Sequence, residues 1–170
     1  MHLTEDGKFY VDDTGKHYAR VTSLVNAKED AERMEPNSPW ITPSTTIGMK
    51  GSWIEICIKT QTLRMYIHNK LYVKTPVVTG NIGDRHTSKG SHSILEKTAH
   101  RQLKGSYHGQ SWDVTVNYWL KFTPDSQGIH DSTWRSAYGG NIYKTNGSHG
   151  CVNTPLGAMR KIFKNKKLFL

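Results

Sequence analysis

The stretch Trp53-Ile54-Glu55-Ile56-Cys57-Ile58-Lys59 places isoleucines at every second position, and this alternation predicts a β-strand with one buried face. Further strands are predicted at residues 61–67, 71–79 and 114–120, with a weaker strand signal at 93–95. Short strands separated by turns are typical of an all-β sandwich or a barrel-like body. The sequence therefore predicts a mainly β fold.

One helix is predicted near the C-terminal end, over residues 155–164. Pro155 suits the first position of a helix, and the apolar side chains that follow it recur at helical spacing. The helix comes after a glycine-rich loop that contains Cys151. The sequence thus predicts a thiol close to the start of a helix.

The N-terminal residues 1–47 differ in composition from the rest of the chain. Residues 8–11 and 16–21 flank an Asp/Gly turn, which predicts a small hairpin. The Pro/Ser-rich residues 35–44 are typical of a linker. We therefore expect an N-terminal appendage or linker at 1–47 and the main domain at 48–170.

The overall composition narrows the class of protein. A chain of 170 residues suits one ordinary domain, and 23 Lys and Arg against 14 Asp and Glu give a net charge of +9. This charge favours an anionic neighbour such as nucleic acid, a membrane surface or a cell wall. No apolar run is long enough for a transmembrane helix or a signal peptide, so we expect a cytoplasmic protein or a piece of a longer precursor.

The stretch Gly147-Ser148-His149-Gly150-Cys151-Val152-Asn153 is the strongest candidate for chemistry. A helix beginning just after Cys151 would stabilise its thiolate, and successive backbone amides around Gly150 and Cys151 would suit an oxyanion hole. A distant histidine, His130 in Gly128-Ile129-His130-Asp131, is the expected general base. These residue types predict a thiol acyltransferase.

Other cysteine and histidine residues have simpler interpretations. Two cysteines exclude a disulfide framework and a zinc site of the CxxC…CxxC type, and Cys57 reads as a small buried hydrophobic residue. Four further histidines are expected in solvent: His86, His92, His100 and His108. A zinc site built from His130, His149 and Cys151 is an alternative, but its spacing matches no familiar metal motif.

The motif Ser148-His149-Gly150-Cys151-Val152-Asn153, with His130 ahead of it, resembles the signature of the L,D-transpeptidase catalytic domain of the YkuD type. The resemblance extends over about residues 52–160. It includes Trp53-Ile54-Glu55-Ile56, Gln61, Pro76-Val77-Val78-Thr79-Gly80-Asn81, Asn117-Tyr118-Trp119, Trp134-Arg135 and Gly139-Gly140. The fold that it implies is a transpeptidase-type β-sandwich with one helix after the catalytic cysteine and a mobile capping loop.

The resemblance also assigns roles. It implies that Cys151 is the nucleophile and His130 the base, oriented by the main-chain oxygen of Asp131, whose carboxylate is given no role. It implies that His149 and Gly150 shape the site and its oxyanion amides.

Further roles concern the surroundings of the thiol. Ser148 and Asn153 are expected to hold the loop by hydrogen bonds, and the capping loop is expected within residues 84–116. Tyr118 and Trp119 are candidates to line the substrate groove, with packing in the core as the alternative for Trp119.

The implied reaction is peptidoglycan cross-linking. The thiolate attacks the third residue of a tetrapeptide stem, D-Ala leaves, and an amine of a second stem takes the acyl group to give a 3→3 cross-link. Water as the acceptor would make the protein an L,D-carboxypeptidase; a non-catalytic, basic wall-binding domain is the other alternative. A papain-like protease is disfavoured because there the nucleophile precedes the base.

The expected partners and location follow from this reaction. The partners are stem peptides as donor and acceptor together with the anionic cell wall; no cofactor and no nucleic acid are expected. The location is extracytoplasmic, in the wall or anchored to the membrane through a part absent from this chain.

Three departures from the family pattern stand out. Thr87-Ser88-Lys89-Gly90 replaces a T-P-x-G motif and loses the rigidity of proline. Asn153 stands where some relatives have arginine. The final strand of the family is expected to be missing or replaced by residues 167–170.

Overall fold

The computed structural model of the chain describes residues 2–3, 9–11, 17–19, 44–49, 52–67, 70–81 and 85–165. The strands are β1 (His2–Leu3), β2 (Phe9–Val11), β3 (His17–Ala19), β4 (Ser44–Met49), β5 (Ser52–Cys57), β6 (Thr62–Ile67), β7 (Lys70–Pro76), β8 (Gly90–His92), β9 (Glu96–Tyr107), β10 (Gln110–Lys121), β11 (Gly128–Asp131) and β12 (Val152–Thr154). The helices are α1 (Ile142–Asn146) and α2 (Leu156–Lys164).

The strands form three sheets within the described part of the chain. Two are large, with the strand orders β7-β6-β5-β4-β8 and β12-β11-β10-β9, and the third contains β1, β2 and β3. All pairs are antiparallel except β4 with β8 and β11 with β12, which are parallel. The predicted mainly β fold with a helix after Cys151 is confirmed, and α1 is a short helix that the sequence did not predict.

The two large sheets and α2 share one hydrophobic core. It contains the buried side chains Ile54, Ile56, Leu63, Met65, Val73, Val77, Leu120, Phe122, Ile129, Val152, Met159 and Ile162. Burying a side chain of this size contributes about 1.5–3 kcal/mol. The predicted apolar faces of β5 and α2 therefore meet, which fixes the register of the strands that carry the site.

The strand β5 is buried on its second face as well. Trp53 stacks on Tyr66 of β6 with ring centroids 4.4 Å apart, and Glu55 lies 3.9 Å from Arg64, its partner across the strands. Cys57 is only 2% exposed. The interpretation of Cys57 as a small buried hydrophobic residue is confirmed.

A long hairpin formed by β9 and β10 occupies much of the stretch expected to be a capping loop. Its ladder runs from Glu96↔Lys121 to Tyr107↔Gln110. His108 and Gly109 both have positive φ, 46° and 77°, which is the geometry of a tight hairpin turn. Most side chains of β9 are exposed or half-buried, so its sequence lacks the apolar alternation by which strands are predicted.

The N-terminal predictions are only partly covered. β2 and β3 pair in antiparallel fashion on either side of residues 12–16, which lie outside the described residues, as do most of the predicted linker and residues 167–170. β4 crosses position 47 and pairs with β5 and β8, whereas the division of the chain at 47/48 stays a prediction. Neither described helix has the length and apolar character that a membrane crossing requires.

Candidate active site

Two neighbouring parallel strands carry His130 and Cys151. His130 pairs with Asn153, and Ile129 pairs with Val152, so the two apolar residues enter the core together. Because side chains alternate along a strand, His130 points to the opposite face. Cys151 immediately precedes β12 and lies two residues before Asn153, so we infer from the same alternation that it faces the side of His130. The core-facing pair thus brings the predicted base and nucleophile to one surface.

The imidazole of His130 is held in one orientation. Its Nδ1 lies 2.8 Å from the main-chain oxygen of Asp131. A carbonyl oxygen only accepts, so Nδ1 carries the proton and Nε2 offers its lone pair. The ring stands beside Trp119 and Trp134, with centroid distances of 5.8 Å and 5.9 Å.

The charge state of His130 follows from its surroundings. Burial is the main effect and lowers the pKa of the imidazole, and the positive charge of Arg135 lowers it further. The hydrogen bond to the Asp131 carbonyl and the Asp131 charge act in the opposite direction. The lowered pKa makes His130 a neutral base at neutral pH.

The carboxylate of Asp131 has a structural role that the sequence did not predict. Its Oδ1 accepts from the backbone N–H of Tyr118 at 2.8 Å. Its Oδ2 accepts from the backbone and the side-chain amide of Asn117, at 3.2 Å and 2.8 Å. These bonds continue the β10–β11 pairing beyond Trp119↔His130. The main-chain oxygen of Asp131 thus orients the imidazole while its side chain fastens the strand.

The pKa of the Cys151 thiol lies above its ordinary value, opposite to the stabilisation of a thiolate that was expected. Burial raises its pKa to about 11; the Gly128 backbone opposes this effect, and the negative charge of Asp125 adds to it. Its Sγ lies 3.9 Å from the carbonyl oxygen of Ser126. The expected stabilisation by a helix is wrong, because β12 separates Cys151 from α2, which begins at Leu156.

Ser148 closes the loop that precedes the thiol. Its hydroxyl donates to the Cys151 carbonyl and accepts from the Gly150 N–H at 3.2 Å. Its own N–H donates to the Thr79 carbonyl at 3.0 Å. The Gly150 amide is therefore engaged by Ser148, while no hydrogen bond from the Cys151 amide is found among the described residues; the oxyanion role of these amides stays a prediction.

His149 connects this loop to the long hairpin. Its exposed ring stacks on Trp112 of β10 with a centroid distance of 4.2 Å and an interplanar angle of 12°. Tyr107 lies 6.1 Å from the same ring, and the guanidinium of Arg85 lies 4.0 Å above Tyr107. Desolvation lowers the pKa of His149, and Arg85 lowers it further. The base of the loop and the tip of the hairpin are thus packed together.

Asn153 is buried and takes part in the hydrogen bonding beneath the site. In the amide orientation that satisfies both partners, its oxygen accepts from Nε and Nη2 of Arg135 at 2.8 Å and 3.2 Å. A third guanidinium nitrogen, Nη1, donates to the Asn146 carbonyl at 2.9 Å. Asn153 and Arg135 together tie β12 to the segment after β11.

The two groove candidates lie elsewhere. Tyr118 packs on Phe163 of α2 at 4.9 Å, on the core side of β10, which faces away from His130. Trp119 is 2% exposed and supports the His130 ring from behind. Tyr118 thus faces the helix, and the burial of Trp119 agrees with the alternative of packing in the core; a role of either residue in a substrate groove stays a prediction. Trp134, by contrast, is exposed beside the imidazole.

The structure also shows the environments of the remaining cysteine and histidine residues. Cys57 and Cys151 are free thiols. Among the described residues, no group of three or more His, Cys, Asp or Glu side chains is arranged to hold a metal ion. His86, His100 and His108 are exposed, but His92 is half-buried against Phe122 at 5.3 Å, which corrects its assignment to solvent.

The residues that support the loop could hardly be recognised in the sequence. Thr87 donates to the Gly150 carbonyl of the loop, and Gln127 accepts from the Ser88 N–H next to Thr87; hydrogen bonds to backbone atoms leave no periodic pattern. The available signal for Thr87 was its place in the stretch Thr87-Ser88-Lys89-Gly90, which replaces the T-P-x-G motif of the family. Trp112 had a comparable signal, because it is a large aromatic residue within a polar hairpin.

The chain is similar to a known protein family and to several solved structures. A family model of the L,D-transpeptidase catalytic domain matches residues 51–168. A comparison with curated protein sequences finds no match. The NMR structure of the catalytic domain of an E. faecium L,D-transpeptidase acylated by ertapenem is 35% identical, with a TM-score of 0.61; the match covers 70% of this chain and 93% of that one.

Two other solved structures are similar. The Ldtfm–avibactam carbamoyl enzyme is 30% identical with a TM-score of 0.59, and the match covers 76% of this chain but about half, 47%, of that chain. A cysteine-to-serine mutant of an Enterococcus faecium L,D-transpeptidase shares the fold at 22% identity, with a TM-score of 0.62 and coverages of 91% and 68%. With the family match spanning most of its length, the chain belongs to the L,D-transpeptidase catalytic domain family.

Proposed function

We propose that this protein is a cysteine acyltransferase that forms 3→3 cross-links between peptidoglycan tetrapeptide stems. One observation carries the proposal: an imidazole with a free Nε2 lies on the same face as the thiol, one strand away. The ertapenem-acylated relative supports it, since that catalytic domain accepts an acyl group. The stem's third residue supplies the acyl group, and its terminal D-Ala is the leaving group.

The acylation step starts from a neutral pair. Nε2 of His130 takes the thiol proton as Sγ of Cys151 attacks the carbonyl carbon, whose oxygen becomes an oxyanion. The Cys151 N–H donates to this oxyanion. When the intermediate collapses, the C–N bond breaks and the departing D-Ala amine takes the proton from His130. The products are a thioester and a neutral base.

The second step reverses the first with a new amine. The acceptor amine attacks the thioester carbonyl and transfers its proton to His130, and the sulfur leaves and recovers that proton. A second stem gives a cross-link, whereas water gives a trimmed stem. Exclusion of water around the buried imidazole favours the amine.

The charge and location fit this assignment. A net charge of +9 attracts an anionic wall polymer, and the family acts on wall peptidoglycan outside the cytoplasmic membrane. We propose a location at the wall.

The test is mass spectrometry of the intact protein and of its products. A carbapenem should add one acyl group to Cys151, and a disaccharide-tetrapeptide should yield a cross-linked dimer with loss of D-Ala. Cys151→Ala should abolish both signals, and peptide mapping of the buried Cys57 provides the internal control. A trimmed tripeptide alone would indicate an L,D-carboxypeptidase instead, and wall binding with neither adduct nor product would refute the enzymatic proposal.

A further inference from the structure

Thr87 is a buried polar residue that contacts the nucleophile loop from the segment between β7 and β8. Its side chain is only 1% exposed. Its Oγ1 lies 2.8 Å from the backbone nitrogen of Gly80 and 2.8 Å from the carbonyl oxygen of Gly150. An N–H can only donate and a carbonyl can only accept, so the hydroxyl accepts from Gly80 and donates to Gly150.

The bond to Gly150 fixes the direction of the next amide. The Gly150 carbonyl and the Cys151 N–H belong to one planar trans peptide, in which the two groups point in opposite directions. With the carbonyl turned towards Thr87, the Cys151 N–H points away from it. Ser148 engages the Gly150 N–H and the Cys151 carbonyl, which belong to the peptide groups on either side, so both neighbours of this peptide are held by hydrogen bonds.

Close packing keeps Thr87 in place. A Cβ at Gly80 would lie 2.8 Å from the Thr87 nitrogen and 2.9 Å from the Gly150 Cα, so only glycine lets these segments meet. Gly150 has a φ of +119°, and a Cβ there would lie 2.9 Å from Nε2 of Gln127. Both glycines therefore lie where the neighbouring segments leave little room for a side chain.

Gln127 braces the backbone on both sides of Thr87. Its Oε1 accepts from the Ser88 N–H at 2.8 Å, and its Nε2 donates to the His86 carbonyl at 3.2 Å. Thr87 therefore lies in a segment that is held by hydrogen bonds from Gln127, in the turn between β10 and β11.

We propose that Thr87 is a positioning residue that aims the Cys151 N–H at the oxyanion by holding the Gly150 carbonyl. This role rests on the proposed acyltransferase function, because only an acyl transfer passes through a tetrahedral oxyanion. Thr87 touches neither the substrate nor the thiol and acts through one peptide group.

The test separates acylation from simple thiol reactivity. Thr87→Val keeps the shape of the side chain and removes both hydrogen bonds, whereas Thr87→Ser keeps the hydroxyl. We expect Thr87→Val to slow acylation by a carbapenem about 10- to 100-fold, with most of the rate retained in Thr87→Ser. Alkylation by iodoacetamide should be nearly unchanged in both variants, since displacement at a tetrahedral carbon forms no oxyanion.

Three outcomes would overturn the proposal. They are an unchanged acylation rate in Thr87→Val, an equal loss of acylation and alkylation, and a loss in Thr87→Ser as large as that in Thr87→Val. If Thr87→Val does not fold, Gln127→Ala tests the same support and should show the same selective loss of acylation in weaker form; no selective loss there would also refute it. An unmodified protein that takes no acyl group would instead refute the proposed function.

Discussion

Burial raises the pKa of the Cys151 thiol and lowers that of the His130 imidazole, so the two groups of the proposed pair are both neutral near pH 7. Such a pair avoids keeping two charges in a poorly hydrated site before substrate arrives. The proton moves only when the attacked carbonyl can take up the negative charge. In the proposed mechanism, the energetic demand therefore falls on the transition state, where we propose that the Cys151 amide acts.

The resting state of the thiol can be tested by its ultraviolet thiolate absorbance. The difference between the protein and Cys151→Ser should be negligible at pH 7 and should grow as the pH approaches the Cys151 pKa of about 11. The alkylation rate should rise steadily with pH over the same range. A plateau with an apparent pKa below that of a free cysteine, about 8.5, would contradict the neutral pair.

The charge of Asp125 provides a second test at this scale. Its carboxylate adds to the effect of burial in raising the pKa of Cys151, so Asp125→Asn should lower that pKa and speed alkylation at a fixed pH below it. Asp113→Asn is the matched control, because Asp113 is an exposed carboxylate on the hairpin that pairs with Lys104. Equal rates in both variants would show that Asp125 does not act on the thiol.

Asp131→Asn should affect both stability and the pH profile. An amide nitrogen in place of one oxygen faces N–H donors, which should cost about 2–3 kcal/mol in urea unfolding. The Asp131 charge raises the pKa of His130, so its removal lowers that pKa. Activity is lost when His130 takes up a proton, and the acid limb of kcat/KM should therefore move to lower pH.

Asn117→Ala is the control for that experiment. It removes one donor to Asp131 but leaves the charge, so it should destabilise the fold less and leave the acid limb in place. If the acid limb moved in both Asp131→Asn and Asn117→Ala, the cause would be loosened packing and not the loss of the Asp131 charge.

At the scale of elements, the hairpin of β9 and β10 is attached to the nucleophile loop by aromatic stacking. Trp112 occupies the space over Gly105, where any Cβ would overlap the indole, and from there it reaches His149. The hairpin therefore contacts the loop through the Trp112 side chain, and the absence of a Cβ at Gly105 leaves room for its indole ring.

Trp112→Ala should release this attachment. The pKa of His149, which desolvation lowers, should rise towards the ordinary value of about 6.5 and be visible in an NMR titration. Tyr72→Ala is the control, since Tyr72 is an exposed aromatic side chain on β7. An unchanged His149 titration in Trp112→Ala would show that the stacking does not shield the ring.

The elements differ in how far the sequence could predict them. β5 and α2 carry apolar patterns because each turns a face to the core, and both were predicted. β9 was not, because hardly any of its side chains reach the core. α1 has five residues, none of them buried, which is too short for a periodic signal.

At the scale of the whole molecule, the candidate site lies on the side of β11 and β12 that faces away from the hydrophobic core. Cys151 and His130 could be predicted because their motifs are local in sequence. The residues that support the nucleophile loop could not be predicted. The hydrogen bond between Thr87 and Gly150, for example, joins residues 63 positions apart and depends on how the sheets pack. The position of Tyr118 could not be predicted for a related reason, because the face that it occupies depends on the register of β10, which no motif reveals.

The parallel pairing of β11 with β12 has a consequence for any preparation of this protein. A slip of one residue would turn either His130 or Cys151 into the core, leaving no intermediate arrangement with a slightly displaced pair. Each molecule is then either competent or inert. The number of acyl groups taken up per chain should therefore measure the fraction of molecules that have the native register of β11 and β12.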